Sequence, residues 1–233
     1  MSVKERLCLA LDVPTGADAI DWIRRTKDYI GVYKVGLQLF TAEGPPILRA
    51  AREAGADRIF LDLKLHDIPN TVAGAVRSVR GGGLADYLTI HTGGGPEMMA
   101  AAVEAAGDDL ALLGVTVLTS IDTDAKEAIG LNNGNIAWHV HHRAGHAIKA
   151  GVPGLVASPR EVGLLREHFP DVLLVIPGIR LPDGDVGDQK RVSSPWDAIE
   201  AGADLLVLGR MVRGADDPDA VLEALHDRLG PLI

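Results

Sequence analysis

Short apolar runs alternate with longer, helix-length stretches along the whole chain. The runs fall at residues 7–13, 32–37, 58–64, 87–91, 111–119, 154–158, 173–179 and 205–210. Between and after them lie Ala-, Glu- and Arg-containing segments at 17–29, 45–54, 70–80, 96–106, 136–150, 159–168, 195–201 and 218–229. Runs of a few Val, Leu and Ile residues read as strands covered on both faces. Strand–helix alternation predicts a parallel sheet with helical crossovers, and eight repeats favour closure into a (β/α)8 TIM barrel over an open sheet. Pro45, Pro96, Pro159, Pro195 and Pro218 fit the first turns of their helices. Ala-Gly-Ala-Asp occurs at 54–57 and again at 201–204, each time just before a strand, where a left-handed glycine ends a helix. No linker or composition break interrupts the pattern, so the reading is one barrel over residues 1–233.

Two connections exceed the roughly 2–6 residues usual for a βα loop. They span residues 120–135 and 180–194, and in a barrel both follow strands, on the face that carries active sites. The second has Gln189, Lys190 and Arg191 at its far end and is read as a lid over a ligand rather than a surface insertion.

Charge enters the strand pattern at one segment, Phe60-Leu61-Asp62-Leu63-Lys64-Leu65-His66-Asp67-Ile68-Pro69-Asn70-Thr71. In a strand Asp62 and Lys64 are two apart and share a face, while Leu61, Leu63 and Leu65 take the other. Lys34 and Asp12 end two other runs, and Asp67 follows just past the third. Charges are rarely buried without partners. The alternation in sign therefore predicts a functional network at the barrel mouth, in which carboxylates keep Lys64 an ammonium and Lys34 keeps Asp62 ionised. A second group, Gly209-Arg210 at the end of the last run with Gly178 at the end of the one before, sits where barrels often hold a phosphate.

Composition narrows the partners. Hydrophobic residues make up 47% of the 233 and aromatics only 4%, so the core is built from Leu, Val, Ile and Ala. A net charge of −9 lacks the broad basic footprint that nucleic acid requires, though a few converging cations still suit a small anion. Cys8 stands alone and is expected to be a buried, inert thiol. No apolar run is long enough for a signal peptide core or a membrane span, which predicts a soluble cytoplasmic protein without membrane partner. His139, His142 and His146 share a helix face but read as surface histidines, and no metal site is assigned.

These residues carry a resemblance. The run FLDLKLHDIPNTV is similar to the signature of the orotidine 5′-monophosphate decarboxylases. LDV near the start, YKVG around Lys34, TVLTS at 116–120, PGIR at 177–180, GDQKR at 187–191 and the terminal LGR extend it over nearly the whole chain. It looks like the shorter bacterial form. Leu88-Thr89-Ile90-His91-Thr92 departs from the Asn-x-His-Ala of many bacterial members but keeps His91. The resemblance implies loss of CO2 from orotidine 5′-monophosphate to give UMP, with no metal or organic cofactor. It implies that Lys64 protonates C6, Asp62 lies beside the departing CO2, Lys34 completes the charged chain and Asp12 accepts from the ribose. Thr119 or Ser120 would approach the pyrimidine, and Gln189, Gly209 and Arg210 would grip the phosphate. Pro177, Gly178 and Arg180 join the substrate contacts. Asp67, Ile68 and Thr71 would reach the neighbouring site of a homodimer.

Two rivals stand beside this reading. A metal-dependent sugar-phosphate decarboxylase or aldolase of the same barrel superfamily shares Asp-x-Lys-x-x-Asp but has a carboxylate where this chain has Lys34. A non-catalytic pyrimidine-binding barrel would not need so many carboxylates beside an anionic ligand.

Overall fold

The computed structural model of the chain describes residues 1–181 and 193–233, so Gln189 and most of the expected lid lie outside the described residues. Eight parallel strands close into a barrel in sequence order. They are β1 (Leu7–Ala10), β2 (Val32–Gly36), β3 (Arg58–Leu65), β4 (Tyr87–His91), β5 (Ala111–Val115), β6 (Gly154–Val156), β7 (Leu173–Ile176) and β8 (Leu205–Leu208). β8 returns to β1 through the register Leu9↔Leu208.

Period-two alternation divides the apolar residues into two groups. Cys8, Ala10, Val32, Phe60, Leu113, Val175, Leu205 and Val207 fill the barrel interior. Leu7, Leu9, Tyr33, Val35, Ile59 and Leu61 face outward and join the larger core between strands and helices. Lys34 therefore shares its face with Val32, and Asp62 with Phe60, so both charges point inward near the C-terminal rim. Cys8 is fully buried in the interior, and burial pushes its thiol well above the usual range, which leaves it inert.

The eight expected helices are present, at Gly16–Thr26, Pro46–Ala54, Pro69–Gly82, Gly95–Ala106, Ile136–Lys149, Val162–His168, Pro195–Glu200 and Pro218–Leu229. Gly55 and Gly202, the glycines of the repeated tetrapeptide, have φ 110° and 105° and end their helices as expected. Among the described residues, four short α-helices escaped the sequence reading: Val3–Arg6, Leu37–Glu43, Thr123–Ala128 and Arg210–Arg213. The first has a capping box between Ser2 and Glu5, a signal present in the sequence. Several apolar runs also outlast their strands. The first run continues to residue 13 and the fifth to 119, but their ladders stop at Ala10 and Val115. The remainder leaves the sheet to form the mouth, so Asp12 lies two residues past β1 rather than at its end.

Two expectations are corrected. His139 is buried, 8% exposed, rather than at the surface; it meets Trp138 edge-on at 4.9 Å. Its helix also reaches the mouth, since Arg143 donates to the Thr116 carbonyl at 2.8 Å just past β5. Residues 120–135 are not a plain loop. Asp122 accepts from Ala125 N to start the Thr123–Ala128 helix, and the buried Lys126 ammonium donates to the carbonyls of Leu131 and Gly134. No helix among the described residues is long and apolar enough to cross a membrane.

Candidate active site

The four charges from β1, β2 and β3 meet as a chain of alternating sign. Lys34 Nζ donates to Asp12 Oδ1 at 3.0 Å and lies 3.5 Å from Asp62 Oδ2. Lys64 Nζ donates to both oxygens of Asp62, each at 2.8 Å. Gly36 makes room for this chain: a Cβ there would lie 3.0 Å from Lys34 Nζ and 3.1 Å from Asp12 Oδ1. Asp62 is 8% exposed. Burial alone would raise its pKa, but the charges of Lys34 and Lys64, with hydrogen bonds from Lys64 and Thr89, hold it below the ordinary carboxylate range. Burial likewise opposes charge on Lys34, and Asp62 and Asp12 outweigh it, leaving the ammonium more basic than usual.

The local backbone is not the simple strand that the spacing predicts. The β3–β4 register shifts between Leu61 and Leu65, and Lys64 has φ 50°, a left-handed conformation shared by no other non-glycine among the described residues. Asp62 and Lys64 meet as expected, but through a bulged rim rather than through pleat alternation alone. Thr89 on β4, fully buried, accepts from Lys64 N and donates to Asp62 Oδ1, each at 2.9 Å.

The network opens into a cavity of about 530 Å³ at the C-terminal ends of the strands. Its walls include Asp12, Lys34, Asp62 and Lys64 on one side. Thr119 and Ser120 both line it, so the choice between them stays open. Pro177, Gly178, Arg180, Gly209 and Arg210, also expected at the site, line it too. Arg213 also lines the cavity and donates to the Asp12 carbonyl at 2.9 Å. Asp67, Ile68 and Thr71 do not line it; all three are exposed, and Asp67 Oδ1 accepts from the neighbouring Ile68 N at 2.6 Å. Sequence reasoning missed Thr89 and Arg213. Thr89 comes to lie inward at the level of Asp62 because Phe60 pairs with Tyr87 and points inward, a register that the sequence alone does not give. Arg213 gave no signal, since its contact depends on how the last βα connection folds.

His91, also at the mouth end of β4, stacks on His66 with ring centres 5.1 Å apart. Its Nδ1 accepts from Gly93 N at 3.0 Å. Burial, with electrostatic contributions from His66, Arg143 and Lys64, lowers its pKa to about 4. Elsewhere, on the Ile136–Lys149 helix, His142 and His146 approach Nε2 to Nε2 at 3.2 Å.

Residues 5–225 match the family described as Orotidine 5'-phosphate decarboxylase / HUMPS family. The chain belongs to this family. Orotidine 5'-phosphate decarboxylase of Anaeromyxobacter sp. (strain K) is 49% identical over 226 residues, covering 97% of this chain and 98% of that protein. The protein of the same name from Thermobifida fusca is 46% identical, covering 96% and 95%. The crystal structure of orotidine 5'-phosphate decarboxylase from Lactobacillus acidophilus superposes with a TM-score of 0.82 at 32% identity, over 96% of this chain and 98% of that one. Within the orotidine 5'-phosphate decarboxylase / HUMPS family, the closed barrel and the full-length likeness agree with the architecture read from the alternating pattern.

Proposed function

We propose that the protein is a carboxy-lyase that converts orotidine 5′-monophosphate to UMP and CO2 in pyrimidine biosynthesis, using its own side chains alone. The observation that carries this reading is the Asp12–Lys34–Asp62–Lys64 chain facing the cavity, with Lys64 held on a buried carboxylate. Decarboxylation breaks the bond between C6 and the carboxylate carbon and leaves an electron pair in the plane of the ring, where no delocalisation relieves it. The Lys64 ammonium stabilises that charge from a fixed position and supplies the proton that C6 takes up. Asp62 holds Lys64 and Lys34 in place, and its charge opposes that of the substrate carboxylate in the ground state. Asp12 accepts from the ribose hydroxyls, and Thr119 or Ser120 faces the pyrimidine.

The phosphate end is assigned to Arg210 and Gly209, together with Gln189. Arg210 supplies a fork of donors. A Cβ at Gly209 meets no atom of the described residues within 4 Å, so their packing does not demand glycine there, and close approach of a phosphate would use the free space. Phosphate binding remote from C6 contributes to assembling the site. Asp67, Ile68 and Thr71, exposed on one barrel, are assigned to the neighbouring site of a homodimer; Ile68 is 67% exposed, which suits burial by a second copy. The cytoplasm is the compartment this metabolic role and the solitary buried Cys8 support.

The test is the fall in ultraviolet absorbance of orotidine 5′-monophosphate with EDTA present. Turnover that ignores EDTA is expected. Activity lost in EDTA and restored by Mg2+ would sink this reading and favour the metal-dependent sugar-phosphate branch, against which the Lys34 ammonium, 3.5 Å from Asp62, now argues by repulsion.

A further inference from the structure

We propose that Thr89 is the positioning residue that sets the Lys64–Asp62 pair, one hydroxyl fixing both the backbone of the lysine and the carboxylate of the aspartate. The inference rests on the proposed decarboxylase reading for its rate consequence, but its geometry stands independently. Thr89 Oγ1 has one proton and two lone pairs. The Lys64 N–H is only a donor, so Oγ1 accepts from it at 2.9 Å. Asp62, held ionised, is only an acceptor, so the hydroxyl proton goes to Oδ1, also at 2.9 Å. The orientation of the hydroxyl is thus decided by its two partners.

Each bond repairs a specific defect. At Lys64 the strand has left the regular ladder and taken φ 50°, which L-residues adopt only when surroundings impose it. The side chain of Thr89 replaces the lost ladder acceptor for its N–H. At Asp62, Oδ2 receives Lys64 and faces Lys34, while Oδ1 receives Lys64 and Thr89, so both oxygens are occupied. Thr89 itself is fully buried and sits on β4, whose neighbours Leu88 and Ile90 are fully buried on the outer face. It thereby ties the bulge to a packed strand.

Thr89→Val keeps the shape and removes the hydroxyl; Thr89→Ser keeps the hydroxyl. The substrate-independent readout is hydrogen exchange at the Lys64 amide, which is expected to quicken in Thr89→Val and not in Thr89→Ser. In steady-state turnover of orotidine 5′-monophosphate, Thr89→Val is expected to lower kcat by about 10–100-fold with KM nearly unchanged, the effect of losing a hydrogen bond to a charged group. The acidic limb of its kcat/KM profile is expected to move to higher pH, because Asp62 loses a donor to its charged form. Thr89→Ser restores both. Should Thr89→Val not fold, Thr89→Ala carries the same readouts. A protected Lys64 amide in the valine variant, or a quickened amide with unchanged kcat and pH profile, overturns the proposal. If wild type fails to turn over orotidine 5′-monophosphate, the substrate assignment falls, while the exchange comparison still decides the positioning role.

Discussion

The two ends of the barrel both carry partly buried ion pairs, and they use them in opposite ways. At the foot, Arg52 of the Pro46–Ala54 helix donates to Asp86 at 2.6 Å and to the carbonyls of Leu84, Ala56 and Asp57. Asp86, just before β4, accepts from Ile59 N of β3. The same device recurs at β7 and β8. Arg166 of the Val162–His168 helix donates to Asp204 at 2.5 Å and to the carbonyls of Gly202, Pro170 and Val172. Asp204, just before β8, accepts from Leu174 N of β7. In both copies an arginine spends its fork on backbone carbonyls and an aspartate ties one strand to the next. In the Asp12–Lys34–Asp62–Lys64 chain at the mouth the cations are lysines, compact charges that each meet carboxylates and face the cavity. The foot closes its hydrogen bonds on the protein itself; the mouth turns its charges toward the cavity. Strand ends at the C-terminal face of a barrel serve chemistry, and those at the N-terminal face serve stability.

That division is most sharply tested by Lys64→Ala. Turnover of orotidine 5′-monophosphate is expected to fall on the order of 10⁴-fold, the combined effect of a lost proton donor and a lost charge at the reacting carbon. The thermal midpoint is expected to move little, since Asp62 retains Lys34 and Thr89. The variant also tests the composite site. Mixed after dissociation with Asp67→Ala, it forms hybrids in which one barrel has Lys64 and receives Asp67 from its neighbour, so about a quarter of wild-type activity returns in a two-fold dimer. Mixtures as inactive as their parents would place Asp67 outside the neighbouring site.

The reciprocal variant at the foot is Asp204→Ala. It strips Leu174 N of its acceptor and Arg166 of its counter-charge, in a pair about one-quarter exposed. A loss of about 2–3 kcal/mol is expected. For a chain of this size that lowers the thermal midpoint by about 5–10 °C, readable by calorimetry. At a temperature where the variant stays folded, kcat/KM is expected to match wild type. A folded variant with greatly reduced kcat/KM would show that the foot also sets the mouth.

The same contrast explains what was legible in the sequence. Lys34 and Asp62 could be placed inward because their neighbours Val32 and Phe60 obey a period of two, and nothing distant is needed to see it. Lys64 was placed on the right face for an incomplete reason, since the bulge and φ 50° arise from pairing with β4, a strand about 25 residues away. Thr89 looked like any strand threonine until both its partners were known. The Arg166–Asp204 tie spans 38 positions, with no local pattern linking the two residues. The repeated Ala-Gly-Ala-Asp even points elsewhere: Asp204 joins Arg166, whereas Asp57, at the equivalent place in the first copy, joins Lys4. Helix-ending glycines are local and were read correctly at both sites; ion-pair partners depend on tertiary approach and were not.

The smallest effect distinguishes the ends by pH. His91 at the mouth is neutral down to about pH 4, whereas an unfolded histidine titrates at 6.5. Between these values the unfolded chain binds a proton that the folded one refuses, so stability falls as pH drops from 6.5 and levels off below about 4. Burial drives this, reinforced by His66 stacked on the ring and by Arg143 and Lys64 nearby. His139, lowered chiefly by burial, adds a slope of the same sign, so only a difference between variants isolates His91. His91→Gln keeps an acceptor for Gly93 N without a titrating ring. Thermal midpoints measured from pH 7 to 4 are expected to fall more steeply for wild type than for His91→Gln, with the curves converging toward parallel above 6.5. Equal slopes through the whole range would mean that the His91 ring titrates alike in the folded and unfolded chain, so that neither its burial nor the nearby charges hold its pKa down.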